Sequence, residues 1–549
     1  MLLRRLLFYF MNSKNNLLKI EEITLHLSES EELLKGKIAE ILQIPETEIL
    51  SYQITKKAID SRKKTDILFV YSVEVLVKNP GKIKELSVRH RVRFFEPFVY
   101  EIKKVKSQPK NRPVVIGFGP CGIFSALLLA KAGLRPLIIE RGPMMTERIK
   151  AVDKFFQEGV LNTEANIQFG EGGAGTFSDG KLYTLVNDPR SKFIFQEFVK
   201  AGAPAEILFS ATPHIGTDRL REVIQKMRAE IISLGGEFLF STRLTDLIIE
   251  QGKVSAIVVN EKEEIPVSDL ILATGHSARD VYQLLFDRQF ELAAKPFSMG
   301  VRIEHKAEMI NRSQYGRDFQ HEKLGPAKYK LVEQQTGIRP VYSFCMCPGG
   351  YVMAAASEEG MLVTNGMSEL AQDGKNSNSA LLVPVSPADF PSEHPLAGIE
   401  FQRYWEKRAF QVGGGNYVAP AQLVGDFLAA KPSQKAGRIQ PTYPRGVSFT
   451  SLDLCLPDFV AASLRRALPL LEKKIKGFAH PEAVLTGVET RSSAPVRIVR
   501  GENREANISG VYPSGEGAGY AGGIVSSAID GLATAEVIIE KYLYLSKVY

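Results

Sequence analysis

Residues 113–140 read PVVIGFGPCGIFSALLLAKAGLRPLIIE, and this stretch decides the fold. Its apolar run at 113–118 is typical of a fully buried strand. A glycine-rich turn follows, then a helix rich in alanine and leucine to about residue 132, and then a second apolar run at 136–140. A strand, a glycine turn, a helix and a strand in this order predict the βαβ unit of a dinucleotide-binding fold.

The turn carries the pattern G-x-G-x-x-G at Gly117, Gly119 and Gly122. The first glycine permits the tight turn, the second lets a pyrophosphate approach the backbone, and the third brings the helix close to the strand. Free N–H groups at the start of the helix favour an anion there. Glu140 ends the second strand, where its carboxylate can bind ribose hydroxyls and disfavours a 2′-phosphate. The pattern alone therefore leaves FAD and NAD open.

The composition of the 549-residue chain bounds its class. Hydrophobic residues make up 44% and charged residues 24%, which is ordinary for a globular protein of several domains. Four cysteines do not make a disulfide scaffold, and no run approaches 18 apolar residues. We therefore expect a cytoplasmic protein without a membrane span.

The net charge of +7 lies in the first fifth of the chain. Residues 1–110 hold 21 Lys and Arg against 14 Asp and Glu, and the remainder is neutral. Such a segment could contact nucleic acid, an anionic membrane or an acidic partner. A solvated basic face is the preferred interpretation.

Three further segments accompany the turn and carry a family resemblance. They read GEGGAGTFSDGKL at 170–182, ILATGHSARD at 271–280 and YPSGEGAGYAGGIVSSAIDG at 512–531. Together with residues 117–142 they resemble the glutathione-reductase-like FAD superfamily. More closely, nearly the whole chain resembles the bacterial FAD-dependent dehydrogenase family of NAD(FAD)-utilising dehydrogenase-like proteins. The resemblance implies FAD as the cofactor.

The resemblance also implies which residues hold that cofactor. The turn would hold the FAD diphosphate, Glu140 the adenosine ribose and Glu516 the ribityl chain. The helix that starts after Gly522 would point its dipole at the flavin N1 edge, where reduced flavin carries negative charge. The glycines of the loop at 170–182 allow close backbone approach and its Thr176, Ser178 and Asp179 supply hydrogen-bonding groups, although a tight structural glycine loop is the alternative. The full set of cofactor-binding residues predicted from the turn, this loop and the resemblance is Gly117, Gly119, Pro120, Cys121, Gly122, Glu140, Arg141, Gly173, Gly175, Thr176, Ser178, Asp179, Thr274, Gly275, Gly515, Glu516, Gly522, Gly523 and Ile524.

The predicted fold class is α/β, with four segments. These are a small N-terminal α/β (ferredoxin-like) module at 1–110, the first part of a Rossmann-like FAD-binding domain at 111–295, an inserted α+β substrate or cap domain at 296–484, and the return to the FAD-binding domain at 485–549. In the first segment, strands are predicted at Lys19–Leu27, Asp66–Val77 and Leu86–Phe95, with a helix at Glu31–Ile44. Ser28 and Ser30 are candidate caps of that helix.

Catalytic residues are not identified by the sequence, and the weak candidates are Cys345, Cys347 and Lys181. Cys-x-Cys on a strand puts both sulfurs on one face, where a thiolate near flavin could relay electrons or attack a substrate. Two small buried residues are the preferred interpretation. Lys181 could place a positive charge near the flavin. No metal site is expected, because zinc would need two further ligands and no nearby pattern supplies them.

These patterns favour an FAD-dependent oxidoreductase that moves a hydride between bound flavin and a small-molecule substrate. NAD(P)H is a candidate transient donor, although no second strand–G-x-G-x-x-G–helix unit provides a dedicated domain for it. A disulfide-reductase mechanism has no support, since no C-x-x-x-x-C follows the turn. One alternative is a dehydrogenase or reductase without a nicotinamide step. The other is an RNA-linked flavoprotein whose N-terminal module binds nucleic acid, which is disfavoured because that module lacks a stacking-aromatic motif.

Overall fold

The computed structural model describes residues 16–83, 90–106, 108–334 and 337–548. The chain divides into two compact units. The smaller comprises the residues up to Glu101 together with Pro204–Pro213 and Gln314–Gly325, and the larger comprises the rest.

The smaller unit is built on a four-stranded antiparallel sheet. In spatial order its strands are Ile49–Asp60, Leu68–Val77, Leu17–His26 and Arg93–Phe94. The helix Leu34–Leu42 buries one side against the core of this unit. It follows a short 3₁₀ turn, Glu31–Leu33, whose N-cap is the predicted Ser30, which accepts a hydrogen bond from the backbone N–H of Glu32. Part of the predicted strand Leu86–Phe95 lies outside the described residues.

The larger unit contains a five-stranded parallel sheet. In spatial order its strands are Val511–Pro513, Leu270–Leu272, Val114–Ile116, Leu137–Ile139 and Glu237–Leu239. The predicted βαβ unit is confirmed at its centre, where the helix Pro120–Ala132 joins two parallel neighbours. That helix packs against the helix Ile524–Val548 so closely that a Cβ at Gly531 would lie 2.3 Å from the Cys121 carbonyl oxygen.

A seven-stranded mixed sheet forms the second layer of the larger unit. In spatial order its strands are Val332–Glu333, Val341–Cys347, Asn376–Val385, Phe297–Lys306, Val484–Glu489, Ala419–Leu423 and Val447–Phe449. Only the last pair is parallel among these described strands. The strand Val484–Glu489 crosses the predicted boundary at 484, because it pairs with Phe297–Lys306 in the interior of this sheet.

Smaller elements complete the larger unit. Leu244–Glu250, Lys253–Val259 and Glu263–Pro266 form one antiparallel sheet. Leu292–Ala294 pairs with Val496–Ile498, and Tyr351–Ala354 pairs with Thr364–Met367. The remaining helices are Met145–Glu158, Arg190–Lys200, Thr217–Ser233, Arg279–Asp287, Ala307–Tyr315, Ala397–Val412, Val424–Leu428 and Asp458–Lys474. Within the described ranges, none of the helices combines the length and the apolar character needed to cross a membrane.

The parallel sheet brings four distant loops to one edge. Chain segments leave its strands at residues 117, 140, 273 and 514, which all follow the carboxyl ends of parallel neighbours. Ligands of open parallel sheets bind beyond this edge.

Candidate functional site

A cleft opens at the carboxyl edge of the parallel sheet, and all but four of the predicted cofactor residues line it. The lining residues among them are Gly117, Gly119, Pro120, Cys121, Glu140, Arg141, Gly173, Gly175, Ser178, Thr274, Gly275, Glu516, Gly522, Gly523 and Ile524. Segments from distant parts of the sequence, from Gly117 to Ile524, thus form one concave surface.

Two glycines of the G-x-G-x-x-G turn are required by the protein itself. Gly117 has a φ of +95°, and a Cβ there would lie 2.4 Å from the Ala273 carbonyl oxygen. A Cβ at Gly122 would lie 1.9 Å from the Gly117 carbonyl oxygen. A side chain at Gly117 would push the turn away from the segment that follows the strand Leu270–Leu272, and one at Gly122 would push the helix away from the turn, so both glycines serve the fold.

Other glycines of the cleft are not required by the protein. Gly119 has an ordinary φ of −82°, and a Cβ there would meet only the Gly173 Cα, at 3.7 Å. A Cβ at Gly522 would meet nothing within 4 Å, and one at Gly523 would only reach the Ser526 hydroxyl at 4.0 Å. These glycines keep the backbone N–H groups at two helix starts accessible, which fits a ligand that approaches the main chain.

Glu140 lies at the end of its strand and is buried. Its Oε2 accepts from the Phe118 N–H at 2.8 Å, and its Oε1 accepts from the N–H groups of Gly142 and Gly170 at 3.0 Å. The carboxylate therefore ties the first turn to the second glycine loop. A carboxylate has about four lone-pair sites, so Oε2 can still accept from a ribose hydroxyl.

Arg141 lines the cleft, but its charge is already neutralised. It forms a paired contact with Glu164 at 2.7 and 3.0 Å, and it donates to Asp280 at 2.9 Å. Its guanidinium also lies 4.1 Å from the centre of the Phe169 ring. These partners hold Arg141 in the wall of the cleft.

The second glycine loop is shaped by a buried arginine that the sequence analysis did not identify. Arg148 is fully buried and donates at 2.7–3.3 Å to the carbonyl oxygens of Asn166, Ile167, Gly170, Glu171 and Gly173. Burial lowers the pKa of this guanidinium to about 9. The loop wraps around this one side chain, which brings Gly173 against Gly119.

Four predicted cofactor residues support the cleft from behind. Gly122 lies against Gly117, and the Gly515 N–H donates to Asp530 at 2.7 Å. Thr176 is buried and its carbonyl accepts from the Thr217 hydroxyl, while the Asp179 carboxylate accepts from the Ser368 hydroxyl and the Gln372 amide. Since these groups face the protein interior, the structure does not bring them to the cleft.

Glu516 lies in the cleft near a histidine and a lysine. Burial raises the pKa of Glu516 to about 7, and Lys295 opposes this shift. The Nε2 atom of His276 lies 4.0 Å from Glu516, and burial lowers the pKa of this imidazole to about 3, with Arg491 and Arg279 acting in the same direction. Burial therefore favours the neutral imidazole of His276 and shifts Glu516 toward its protonated form.

A buried ionic cluster closes the cleft beside these residues. Glu406 is fully buried and accepts from Arg279 at 2.8 and 3.0 Å and from Arg491 at 2.9 and 3.0 Å. Burial opposes its charge, yet the two guanidinium groups hold the pKa of Glu406 below its ordinary value. Arg491 also donates to Ser277 and Ser357, so its charge and donors are used within the protein.

The three candidate catalytic residues come together at the other wall. The Lys181 Nζ lies 3.9 Å from the Cys345 sulfur and 3.8 Å from the Cys347 sulfur. Cys345 lines the cleft, whereas Cys347 is fully buried. Glu489, which the sequence analysis did not identify, lines the cleft beside them and forms an ion pair with Arg302 at 2.6 Å. No metal cluster of His, Cys, Asp and Glu is found among the residues that the structure describes.

Comparison with known proteins gives two domain matches. Residues 296–492 match the domain family described as "FAD-dependent protein, C-terminal domain-like". Residues 18–76 match a domain of unknown function. The first match spans the seven-stranded sheet and supports the predicted FAD cofactor.

Among curated proteins, an uncharacterized protein of Clostridium beijerinckii is 49% identical over 530 residues, which cover 96% of this chain and 99% of the relative. The thiamine thiazole synthase of Methanococcus aeolicus is 27% identical over 176 residues, 30% of this chain and 55% of the relative. Among solved structures, the flavin-dependent brominase Bmp2 is 13% identical, with a TM-score of 0.37 over 80% of each chain. The chain belongs to the family of the Clostridium beijerinckii protein, and its residues 296–492 carry the domain of FAD-dependent proteins.

Proposed function

We propose that this protein is an FAD-dependent oxidoreductase that transfers a hydride between bound flavin and a small-molecule substrate. One observation carries the proposal: two helix starts, at Pro120 and Ile524, meet in a single cleft whose glycines leave the backbone open. An extended dinucleotide with an anionic centre and an electron-accepting ring matches two such positions.

The residues of the cleft divide between the two halves of that cofactor. The N–H groups that follow Gly119 would bind the diphosphate, and the free lone pairs of Glu140 would bind the adenosine ribose. Glu516 would bind the ribityl chain. The helix start at Gly522–Ile524 would stabilise negative charge on the ring, while Thr274 and Gly275 would border the adenine side. FAD itself supplies a reversible two-electron acceptor.

The electron donor and the domain division are part of the same proposal. We place NAD(P)H as a donor that binds transiently, and the cytoplasm as the location, in keeping with four free cysteines. The segment 1–110 is proposed as a ferredoxin-like module. In support, its four strands, numbered in the order of the chain, lie in the spatial order 2-3-1-4. The segments 111–295 and 485–549 are proposed to form the FAD-binding domain, with 296–484 inserted as a substrate or cap domain, except that residues 485–489 complete a strand of the inserted domain's sheet.

The test begins with the full-length protein after gentle purification. We expect about one FAD per chain, identified by mass spectrometry of the released chromophore. Anaerobic titration with NADH and with NADPH then measures bleaching of the flavin band, which we expect from one of the two. A stoichiometric nicotinamide without flavin would refute the cofactor, and a flavin band that neither donor bleaches would refute the nicotinamide step.

A further inference from the structure

The strand that carries the two cysteines is distorted where they lie. Val341–Cys347 pairs with Asn376–Val385, and the register shifts between Phe344 and Cys347. Cys345 lies in this irregularity with a φ of +43°, in the left-handed region that non-glycine residues seldom adopt. Such strain persists only where the surroundings enforce it, and it is concentrated at functional sites. Here it brings both sulfurs within 4 Å of one ammonium group.

Two cations fix the geometry of this pair. Lys181 donates to the carbonyl of Met346 between the two cysteines, and Arg302 donates to the carbonyl of Cys345 at 2.8 Å. Arg302 is fully buried and also donates to the Asn365 side-chain oxygen at 3.0 Å. The bulge is therefore held from both sides by positive charge.

The charges around the sulfurs favour one thiolate and one thiol. Interaction with the Cys347 side chain lowers the pKa of Cys345 most, and Lys181 and Arg302 lower it further, against burial and the Asp179 carboxylate. The same interaction raises the pKa of Cys347, and burial adds to the increase. The Cys347 thiol donates to the Cys345 carbonyl at 3.3 Å.

Two more ionisable side chains face this group. Burial raises the pKa of Glu489 to about 7, and the charge on Cys345 adds to this increase, while Arg302 and Lys181 oppose it. Tyr329 is buried near Cys347, and burial raises the pKa of its phenol, so it is neutral. Lys181 and Arg302 therefore act on the sulfurs together with the carboxylate of Asp179 and a carboxyl group that is partly neutral near pH 7. Lys328 and His214 also lie near Lys181, and both interact with its charge.

We propose that Cys345 is a nucleophilic thiolate of the cleft that adds to the electrophilic β-carbon of a conjugated carbonyl compound. Lys181 and Cys347 are positioning residues for this thiolate. The sulfur forms a bond to the β-carbon, and the electron pair of the C=C bond moves to the α-carbon. One proton from water completes the adduct, and no oxidant is needed. Lys181 lies beside the sulfur, where it favours the anionic form.

A carbon electrophile fits this site better than a disulfide. Disulfide exchange would require Cys347 to become the second nucleophile, yet that sulfur is fully buried and keeps its proton. Cys345 instead has the exposure and the charge partners of a reactive thiol. The inference concerns the chain's own residues and goes beyond the proposed electron transfer.

The test measures the rate of alkylation of the full-length protein by iodoacetamide as a function of pH, with the labelled cysteine identified by mass spectrometry. We expect Cys345 to react at a rate that stays near its plateau well below about pH 8.5, the pKa of a free thiol. Lys181→Met should raise the midpoint by about one unit, which slows labelling about tenfold at pH values below the original midpoint, and Lys181→Arg should restore the original rate. Lys200→Met, on a surface helix, is the matched control and should leave the profile unchanged.

A second arm uses 2-cyclohexen-1-one, which should add its whole mass to Cys345 without loss of any group. Three results would overturn the proposal. They are a labelling rate that rises only at the midpoint of an ordinary thiol, labelling mainly at another cysteine, and a pH profile that Lys181→Met does not change. None of these measurements needs bound flavin. A protein without FAD whose Cys345 still reacts at low pH would refute the proposed function and leave the thiolate standing.

Discussion

Alanine at Gly119 and alanine at Gly122 are expected to have opposite effects, although the two glycines belong to one motif. At Gly119 the φ of −82° is ordinary and the nearest atom to a new Cβ is 3.7 Å away, which is normal contact. At Gly122 a new Cβ would lie 1.9 Å from a backbone oxygen. We propose that the first position is kept open for a ligand, whereas the second is required by the packing of the protein itself.

The magnitudes follow from these distances. Gly119→Ala should stabilise the cofactor-free protein slightly, by about 0.4–1 kcal/mol, because alanine reduces the entropy of the unfolded chain. It should weaken FAD binding by roughly 1.5–3 kcal/mol, about 10- to 150-fold, since the methyl group displaces the diphosphate from at least one charge-assisted hydrogen bond. Gly122→Ala should destabilise the fold itself by about 1–3 kcal/mol or more, because the helix must move off the strand.

Urea unfolding of the cofactor-free variants measures the first quantity, and fluorescence titration with FAD measures the second. The reasoning fails if Gly119→Ala retains FAD as tightly as the original chain, or if it unfolds at a lower urea concentration. Gly119→Val should yield colourless protein with the fold intact. Gly122→Ala serves as the matched variant, since it loses flavin only as a consequence of unfolding.

Three further outcomes are expected. Arg148→Met should lower the free energy of unfolding by roughly 3 kcal/mol and release flavin, because buried carbonyls of the second glycine loop lose their donor; urea unfolding that matches the original chain would contradict this. Asp530→Asn should cost about 3 kcal/mol near neutral pH, because Asp530 pairs with Arg500 at 2.7 Å and its pKa is lowered. That difference should vanish in thermal unfolding as the pH falls through the lowered pKa, and a constant difference would argue against it. Glu516→Gln should be more favourable for the stability of the cofactor-free protein at pH 8 than at pH 5, by about 2 kcal/mol in the difference between variant and original chain. The reason is that the original carboxyl, with a pKa of about 7, loses its stabilising contribution as the pH rises through that value. The same difference at both pH values would count against this reasoning.

Local chemistry made much of the cleft predictable. A glycine pattern between two apolar runs indicates a specific turn because the turn depends on residues within 25 positions of one another. Residues such as Thr274 and Glu516 were identified through their segments, and the parallel sheet places those segments side by side. The same reasoning did not identify Arg148 and Glu489. An isolated charged residue has no sequence pattern that reveals its later partners, which are backbone carbonyls for Arg148 and Arg302 for Glu489.

Long-range pairing accounts for the remaining differences. The boundary predicted at 484 falls inside a strand because hydrophobic composition does not reveal which sheet a strand joins. The pattern of their loop places Thr176 and Asp179 with the cofactor, but both side chains are buried, and the Asp179 carboxylate accepts from Ser368 and Gln372. The asymmetry between Cys345 and Cys347 arises from a bulge, which alternation along a regular strand does not predict.

The distribution of charge supports the proposal that the cleft holds one long anionic ligand rather than free anions. Its three arginines, Arg141, Arg243 and Arg491, are all paired with carboxylates of the protein. Positive potential in the wall therefore comes from helix starts and open backbone N–H groups, which act over a short range and only along their own axes. A ligand must place its negative charge at a helix start to gain this stabilisation, and the glycines that line the cleft decide how close it can come. Recognition by the main chain requires a close fit, which a long dinucleotide held at both ends provides and a small diffusing ion does not.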